Sequence, residues 1–419
     1  MKIDYDNKYT SQLLKKGEFG LEKESLRVTH LGKLSQSKHP FPNDPHISRD
    51  FCENQTEIIT DVFDSVDGVL DDLKKLHCIL NEKLSSSGEY LWSFSNPPKF
   101  DTPDEIPIAE VNDNNYRNYL SKKYGKVKML YSGIHLNFSF PQNVIFHLFN
   151  ISGDNNLTDF KNKFYLSLSS KLVEYSWLIV YLTAASSVID NSFLKHLGLD
   201  ENLKYKYSSF RCSEIGYRNF FTPILDYTDL DGYIDSINRY INSGELFSGS
   251  ELYYPVRLKP RGKNSLDSLK NKGVNHIELR MLDVNPLSEI GIFKEDIEFI
   301  HLLIIYLLSL GECEFTEQRQ TEAMENMLKG SLYDDKLIFT ENVSLKERAL
   351  AELSKISDFT DKYYPEYRGA AEHQINKIKN SRRYAEIVRN TYQNDYNRLG
   401  LELSKKYREV NRNVYAFCG

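Results

Sequence analysis

Glu22 and Glu24 stand two residues apart in residues 20–28, GLEKESLRV, flanked by Leu21, Leu26 and Val28. In an extended strand alternate side chains share a face, so the two carboxylates point the same way. Acids held side by side repel unless a cation lies between them. A divalent ion of the Mg²⁺ type prefers carboxylate oxygens and keeps positions open for phosphate. The competing reading is a solvated strand face, because E-x-E arises by chance in a chain with 27% charged residues. Three further strand-like segments with polar ladders shift the balance toward a ligand-binding face. In residues 50–60, DFCENQTEIIT, a period of two aligns Glu53, Gln55 and Glu57, although a charged edge strand that discourages aggregation has the same pattern. In residues 130–140, His135, Asn137 and Ser139 share one face and Ile134, Leu136, Phe138 and Phe140 the other, as in a strand with one wet and one dry side. In residues 273–283, His276, Glu278 and Arg280 oppose Ile277, Leu279 and Met281.

Curled into one antiparallel sheet, these strands line a funnel with Glu22, Glu24, Glu53, Glu57, His135 and Glu278, and Arg280 stands beside them. Such crowding requires two or more divalent cations, or the acids protonate. Metal ions with an adjacent guanidinium suit phosphoryl transfer from a nucleotide, since both neutralise charge on the transferring group. The chain has neither a GxxxxGK[ST] phosphate loop nor a kinase-type glycine-rich loop, so a nucleotide would have to sit on this sheet.

The elements that position these strands are mostly helical. Residues 4–16 predict a short helix anchored by Leu13 and Leu14, and residues 62–89 an amphipathic one with Val66, Val69, Leu70, Leu73, Leu76 and Leu80 in register. Residues 30–48 are turn-rich, residues 92–98 irregular, and residues 115–124 a helix carrying Tyr116. Residues 159–197 predict mostly helix, as does everything from residue 293 onward, with 297–310 buried and 345–356 and 370–407 amphipathic. The charge runs of these last helices are most simply a solvated face. At 419 residues the chain exceeds one ordinary core. The boundaries it suggests are a catalytic domain over 1–310 and a helical C-terminal region, 311–419, packed on the same domain.

Composition narrows the class further. A net charge of −6 argues against a nucleic-acid groove. The five cysteines are scattered, without paired spacing, which fits a reducing cytoplasm and neither zinc nor a disulfide frame. The polar start MKIDYDNKYT is no signal peptide, and the apolar runs at 177–182 and 299–310 are too short to span a membrane.

Six segments together resemble the bacterial glutamate–cysteine ligases: GLEKESLRV (20–28), DFCENQTEIIT (50–60), YRNYLSKKYG (116–125), SGIHLNFS (132–139), ELYYPVRLK (251–259) and IELRMLDVNP (277–286). They keep the family's order and approximate spacing over roughly residues 15 to 310, and six ordered motifs are far more specific than any one. The resemblance implies an α+β fold, with an antiparallel sheet funnel like that of the glutamine-synthetase catalytic domain, helices outside and a helical C-terminal region. It implies a cytoplasmic enzyme in which ATP phosphorylates the γ-carboxylate of glutamate and the amine of cysteine then displaces phosphate. Two or three Mg²⁺ ions, or Mn²⁺ in their place, would be held by Glu22, Glu24, Asp50, Glu57, His135 and Glu278. Glu278 and Arg280 take the catalytic roles, with Arg280, Arg257 and Lys259 toward the ATP phosphates. Arg211 would hold a substrate carboxylate through its fork, and Asn137 would contact glutamate. Phe51, Tyr116, Tyr217 and Tyr253 would wall the cysteine pocket, though ordinary packing in a chain with 28 tyrosines explains the three tyrosines as well.

Two departures stand out. The loop 109–114, AEVNDN, is shorter than the glycine-containing loop of many members and closer to the ligase half of the bifunctional glutathione synthases. Thr183-Ala184-Ala185-Ser186-Ser187 replaces a stretch with glycine and proline. The chain stops at Gly419 without an ATP-grasp module, so a separate glutathione synthetase is expected downstream. Two alternatives stay open: a γ-glutamyl ligase using another amine, and a non-catalytic nucleotide or amino-acid binder on the same scaffold.

Overall fold

The computed structural model describes residues 3–109, 115–340 and 342–415. Seven strands form one sheet: β1 (Glu18–Val28), β2 (Ile47–Arg49), β3 (Gln55–Ile59), β4 (Tyr90–Leu91), β5 (Gly133–Ser139), β6 (Val256–Lys259) and β7 (His276–Asp283). Their order is β2-β3-β1-β5-β7-β6, with β4 added to the end of β1. Every pairing is antiparallel. β1 is the spine, long enough to pair with β5 over its first half and with β3 over its second. The register sets Glu22 opposite His135, Glu24 opposite Glu57, and Glu278 between Asn137 and Arg257. Opposite His135, β7 carries one residue more than β5, because Ile134 pairs with Leu282 and Leu136 with Leu279. This bulge bends β7 where Arg280 leaves the sheet.

The apolar face of the sheet, with Leu21, Ile58, Ile134, Leu136, Phe138, Ile277 and Leu279, is covered by the helices Val66–Ser85, Leu157–Glu174, Ser176–Thr183 and Lys294–Ser309. A second core gathers Leu26, Phe51, Trp92, Phe94, Tyr131, Phe210 and Tyr253. The later helices enter both cores, through Ala323, Leu353 and Ile378 in the first and Val388, Tyr392 and Tyr396 in the second. A buried pair reinforces the first attachment. Lys377 Nζ donates to Leu182 O at 2.8 Å and meets Asp296 at 3.3 Å, 3.7 Å above the Tyr384 ring.

Several local expectations change. Residues 51–54 turn instead of extending, because Phe51 and Cys52 enter the second core and Asn54 O accepts Arg27 N–H. Glu53 therefore leaves the acid row: it accepts from His39 N at 2.6 Å and pairs with Arg49 at 3.5 Å. Gln55 is buried, and its amide donates to Tyr131 O. The turn-rich 30–48 stretch hides β2, which starts where Asp44 accepts from the His46 and Ile47 backbone. Helix is interrupted over 184–190, where Asp283 draws in the Ala185 and Ser186 N–H groups. Residues 370–407 are not one run but parts of three helices, Arg368–Lys379, Tyr384–Tyr392 and Tyr396–Tyr415, with Ser381 at φ 51° in the first break. A small hairpin, Ile338–Thr340 with Val343–Ser344, also interrupts the helical tail. No helix among the described residues is long and apolar enough to cross a membrane.

Between the two acids of β1, Lys23 points to the opposite, dry face, where its Nζ meets His77 Nε2 at 2.6 Å. Burial lowers the Lys23 ammonium from 10.5 to about 7 and holds His77 well below its ordinary value. Between pH 7 and 10.5 the unfolded chain keeps a proton that the folded chain releases, so this lysine makes stability rise with pH through that window, by up to about 1.4 kcal/mol per unit. Lys23→Met should be more stable than the parent at pH 7 and lack this slope. Chemical denaturation of both proteins at several pH values between 6 and 10 checks it, and parallel curves would refute it.

Candidate metal and substrate site

The wet face of the sheet brings together residues from four strands. Glu22, His135 and Glu278 each place one ligand atom within 4.8 Å of the others. His135 Nδ1 lies 3.0 Å from Glu22 and 3.9 Å from Glu278, and Nε2 lies 3.9 Å from Glu24. Burial, reinforced by the charge of Arg280, lowers His135 to about 4, so the ring is neutral at pH 7. With Arg211 Nη2 3.4 Å from Nε2, the contacts assign Nδ1–H as donor to Glu22 and Nε2 as the lone pair.

Two electrostatic regimes share this face. Glu278 is buried, which alone would raise its carboxyl, yet Arg280, Lys259, His135 and Arg257 hold it well below the usual range. Arg280 Nη1 lies 3.0 Å and Lys259 Nζ 3.1 Å from it, and Arg257 Nη1 4.0 Å. For Glu22 burial, the largest single cause, also acts upward, and the hydrogen bond from His135 together with the charges of His135 and Lys259 brings the carboxyl below its ordinary value. Glu24, Asp50 and Glu57 behave oppositely. Burial, followed by the charge of Asp50, pushes Glu24 to about 8. Asp50 is raised by burial despite Arg117, and Glu57 is raised well above its ordinary value by burial and then by Asp50, Glu22 and Glu24. Three acids from β1, β3 and the 50–54 turn thus face one another, and the charges of Arg211, Arg280 and Arg117 do not offset their burial, an imbalance that a divalent cation corrects.

The donor set fits such an ion. Neither Glu278 oxygen receives a well-directed hydrogen bond although both are buried, and Asn137 Oδ1 is likewise buried without a partner while its Nδ2 donates to Glu22. The Glu278 oxygens have Arg280 and Lys259 as ion-pair partners, whereas an orphaned buried acceptor such as Asn137 Oδ1 is rare and suits a ligand beside the carboxylates. Carboxylates with one imidazole suit Mg²⁺ or Mn²⁺ and disfavour a soft metal.

The remaining predicted residues take these places. Arg211 donates to Arg280 O at 2.6 Å. Tyr217 and Tyr253 meet as a tilted pair with ring centroids 4.2 Å apart, and Tyr116 contacts Phe247 at 5.6 Å. Burial raises all three phenols, Tyr116 to about 12. Phe51 lies in the second core near these rings. Arg257 spends Nε and Nη2 on the carbonyls of Leu252 and Ser250, leaving Nη1 toward Glu278. His276 borders a cavity of about 970 Å³ that runs past Gly20, Asn137 and Ser139 to Lys161, Arg261 and Lys272. Residues 110–114 of the short loop lie outside the described residues.

Four positioning residues escaped sequence reasoning. Gly133 N–H donates to Glu24 at 2.7 Å, and a Cβ built on Gly133 would fall inside the Arg211 guanidinium. Arg117 donates to Asp50 O at 2.8 Å. Asp283 accepts from Ala185, Ser186 and Ser209, fixing the loop that presents Arg211. Arg27, wholly buried, binds Glu89 at 2.6 Å and Glu53 O at 2.8 Å, holding the 50–54 turn. All four lie inside the quoted motifs, but only three-dimensional proximity gives them roles. The C-terminal region also contributes: Met324, Met327 and Leu328 line a small cavity with Arg211, Tyr217, Tyr253 and Arg280.

A buried, acid-lined antiparallel sheet with helices behind it can hold oxygen-seeking cations beside an anionic ligand. The family model for glutamate-cysteine ligase matches residues 4–246 and 221–329. This chain belongs to the glutamate-cysteine ligase family. Among its relatives, the glutathione biosynthesis bifunctional protein GshAB of Listeria monocytogenes serotype 4b is 40% identical over 381 residues, covering 85% of this chain and 49% of that protein. The GshAB of Clostridium perfringens is 32% identical over 421 residues, covering 94% and 54%. The chain therefore spans about half the length of these relatives. Its fold matches a bifunctional glutathione synthetase from Pasteurella multocida with a TM-score of 0.85 at 25% identity, over 97% of this chain and 54% of that one. It also matches a glutamate–cysteine ligase from Francisella tularensis, solved with AMP, with a TM-score of 0.83 at 23% identity, over 95% and 89% of the two chains.

Gly133→Ala should drive the Arg211 fork out of place. The expected result is a loss of at least about 100-fold in nucleotide-dependent turnover with melting behaviour retained. Steady-state kinetics beside circular dichroism checks this, and a near-normal rate would show that the fork can shift without consequence.

Proposed function

We propose that this chain catalyses the ATP-dependent joining of the L-glutamate γ-carboxylate to the amine of L-cysteine, giving γ-glutamylcysteine, ADP and phosphate. One observation supports this above the others: Glu278 is shared between the Glu22–His135 cluster and the cations Arg280 and Lys259. Metal-binding and phosphate-binding groups thereby meet at one buried carboxylate.

On this reading Glu22, Glu24, Asp50, Glu57, His135 and Glu278 hold two or three Mg²⁺ ions, which when bound screen the approach of the two anionic reactants. The nucleoside occupies the cavity bordered by Lys161, Arg261 and Lys272, and the phosphates reach Lys259 and Arg280. Arg257, mostly committed to backbone carbonyls, supports the phosphate side through Glu278. Arg280, set against Glu278, stabilises charge on the transferring phosphoryl group. Asn137 Oδ1 is free to accept from the glutamate ammonium, and Arg211 faces a substrate carboxylate.

The chemistry balances in two steps. A γ-carboxylate oxygen attacks the γ-phosphorus of ATP and the bond to the β-phosphate oxygen breaks, releasing ADP. The acceptor nitrogen then attacks the acyl carbon, phosphate leaves, and the nitrogen loses a proton. Phe51, Tyr116, Tyr217 and Tyr253 form the acceptor wall, where apolar rings exclude water from the acyl phosphate. We treat residues 311–419 as part of the same catalytic unit as 1–310. We further propose a cytoplasmic setting, where Cys52 and Cys212, both free and buried, stay reduced. The relatives named above combine two activities in one protein. For this chain a separate glutathione synthetase is the proposed consumer of the dipeptide.

Phosphate release from ATP in the presence of glutamate and a panel of amines tests the reading. Cysteine should give the highest kcat/KM. Preference for another amine would reassign the acceptor, and nucleotide binding without turnover on any amine would leave only a binder. Glu22→Gln and Glu278→Gln should each lower turnover by at least about 1,000-fold with the fold intact. Near-normal rates in either would remove that residue from the metal set.

A further inference from the structure

Glu251 is wholly buried, yet it touches neither the acid cluster nor any predicted substrate group. It ends the short turn Gly249–Glu251 and sits among three segments that carry the acceptor wall. One oxygen accepts from Lys123 Nζ at 2.6 Å and from Tyr124 OH at 2.8 Å, at the end of the helix Asn115–Tyr124 that bears Tyr116. The other accepts from Phe247 N at 2.6 Å, and the Phe247 ring rests on Tyr116 and Tyr119 at 5.6 and 5.0 Å. Its carbonyl accepts from Asn219 Nδ2 at 2.9 Å, and Asn219 Oδ1 accepts from Tyr253 N at 2.9 Å. Asn219 follows Tyr217 by two residues and also binds the Tyr124 hydroxyl at 3.0 Å. From the sheet side Arg257 grips the carbonyls of Ser250 and Leu252.

We propose that Glu251 is the positioning residue of the amine-acceptor pocket, fixing the mutual placement of Tyr116, Tyr217 and Tyr253 and through it the choice of amine. The inference rests on the ligase reading and deepens it. Removing a carboxylate from water is costly unless its oxygens are paired, and here both oxygens and the backbone carbonyl are bonded to separate segments, which favours one geometry. The rings also meet one another, Tyr217 and Tyr253 with centroids 4.2 Å apart, but the segments that carry them are joined through the hub beneath. Selectivity between amines differing by one small group depends on such spacing.

The test compares Glu251→Gln with the parent in ATP-, glutamate- and acceptor-dependent kinetics. The glutamine keeps the volume but turns a donor toward Phe247 N–H or Lys123. The acceptor KM should rise at least tenfold, with glutamate and ATP KM values within twofold. The kcat/KM preference for cysteine over serine and 2-aminobutyrate should fall at least fivefold. Tyr124→Phe, which removes one hydroxyl from Glu251 and Asn219 and keeps the ring, should move the same parameters in the same direction by a smaller factor. It carries the test if Glu251→Gln does not fold. An acceptor KM within twofold of the parent in a folded variant overturns the proposal. So does a parallel rise of all three KM values with a lowered Tm, since that is a general structural loss. A parent protein inert with every amine overturns the ligase reading and this inference together, whereas an active parent with unmoved selectivity overturns this inference alone.

Discussion

Mutual repulsion of buried carboxylates is the constraint around which this molecule is built. β1 places Glu22 and Glu24 on one face, and its partners add His135, Glu57 and Glu278 across the ladder. Burial alone raises every one of these acids, and only two are brought back down by neighbours. The cations are concentrated on one flank, where Arg280, Lys259 and Arg257 converge on Glu278. On the other flank Glu24, Asp50 and Glu57 face one another with little compensation. The site is therefore polarised before any ligand arrives, with a cation-rich edge and an acid-rich interior. Such an arrangement is unfavourable for stability alone and is retained where oxygen-seeking cations and anionic substrates must be handled together.

Holding this charge in place requires a rigid frame, and the frame is largely backbone. Asp50 is set by Arg117 and by the turn that Arg27 anchors, Glu24 by Gly133 N–H, and Arg211 by the loop that Asp283 gathers. In each case a hydrogen-bonded polar group fixes its neighbour on the wet face, as expected where geometry must be kept to a fraction of an ångström. Glu251 joins three further segments in the same way, through Lys123, Tyr124, Phe247 and Asn219.

The strands were legible where alternation was clean. β5 and β7 appear close to where the period of two places them, because one face is buried on helices and the other lines the funnel. The period failed in residues 51–54, where two large side chains entered a core formed by distant segments and turned Glu53 away. Gln55 shares the formal periodicity of Glu57 but spends its amide on Tyr131, a partner 76 residues away. The bulge in β7 left no trace in the hydrophobic pattern, since Met281 and Leu282 are both apolar.

Residue type and spacing by themselves determined which faces were acidic, that the chain was a metal-using phosphoryl-transfer candidate, and which ligase family it resembled. These follow from local chemistry, because alternation and ordered motifs are properties of contiguous residues. Only the tertiary structure decided which acids share a cation-compensated flank, that Gly133 makes room for Arg211, and that Glu251 joins the segments carrying Tyr116, Tyr217 and Tyr253. Those facts depend on strand register and on contacts between distant segments, Gly133 with Arg211 and Glu251 with Lys123, where proximity is set by packing of the whole chain.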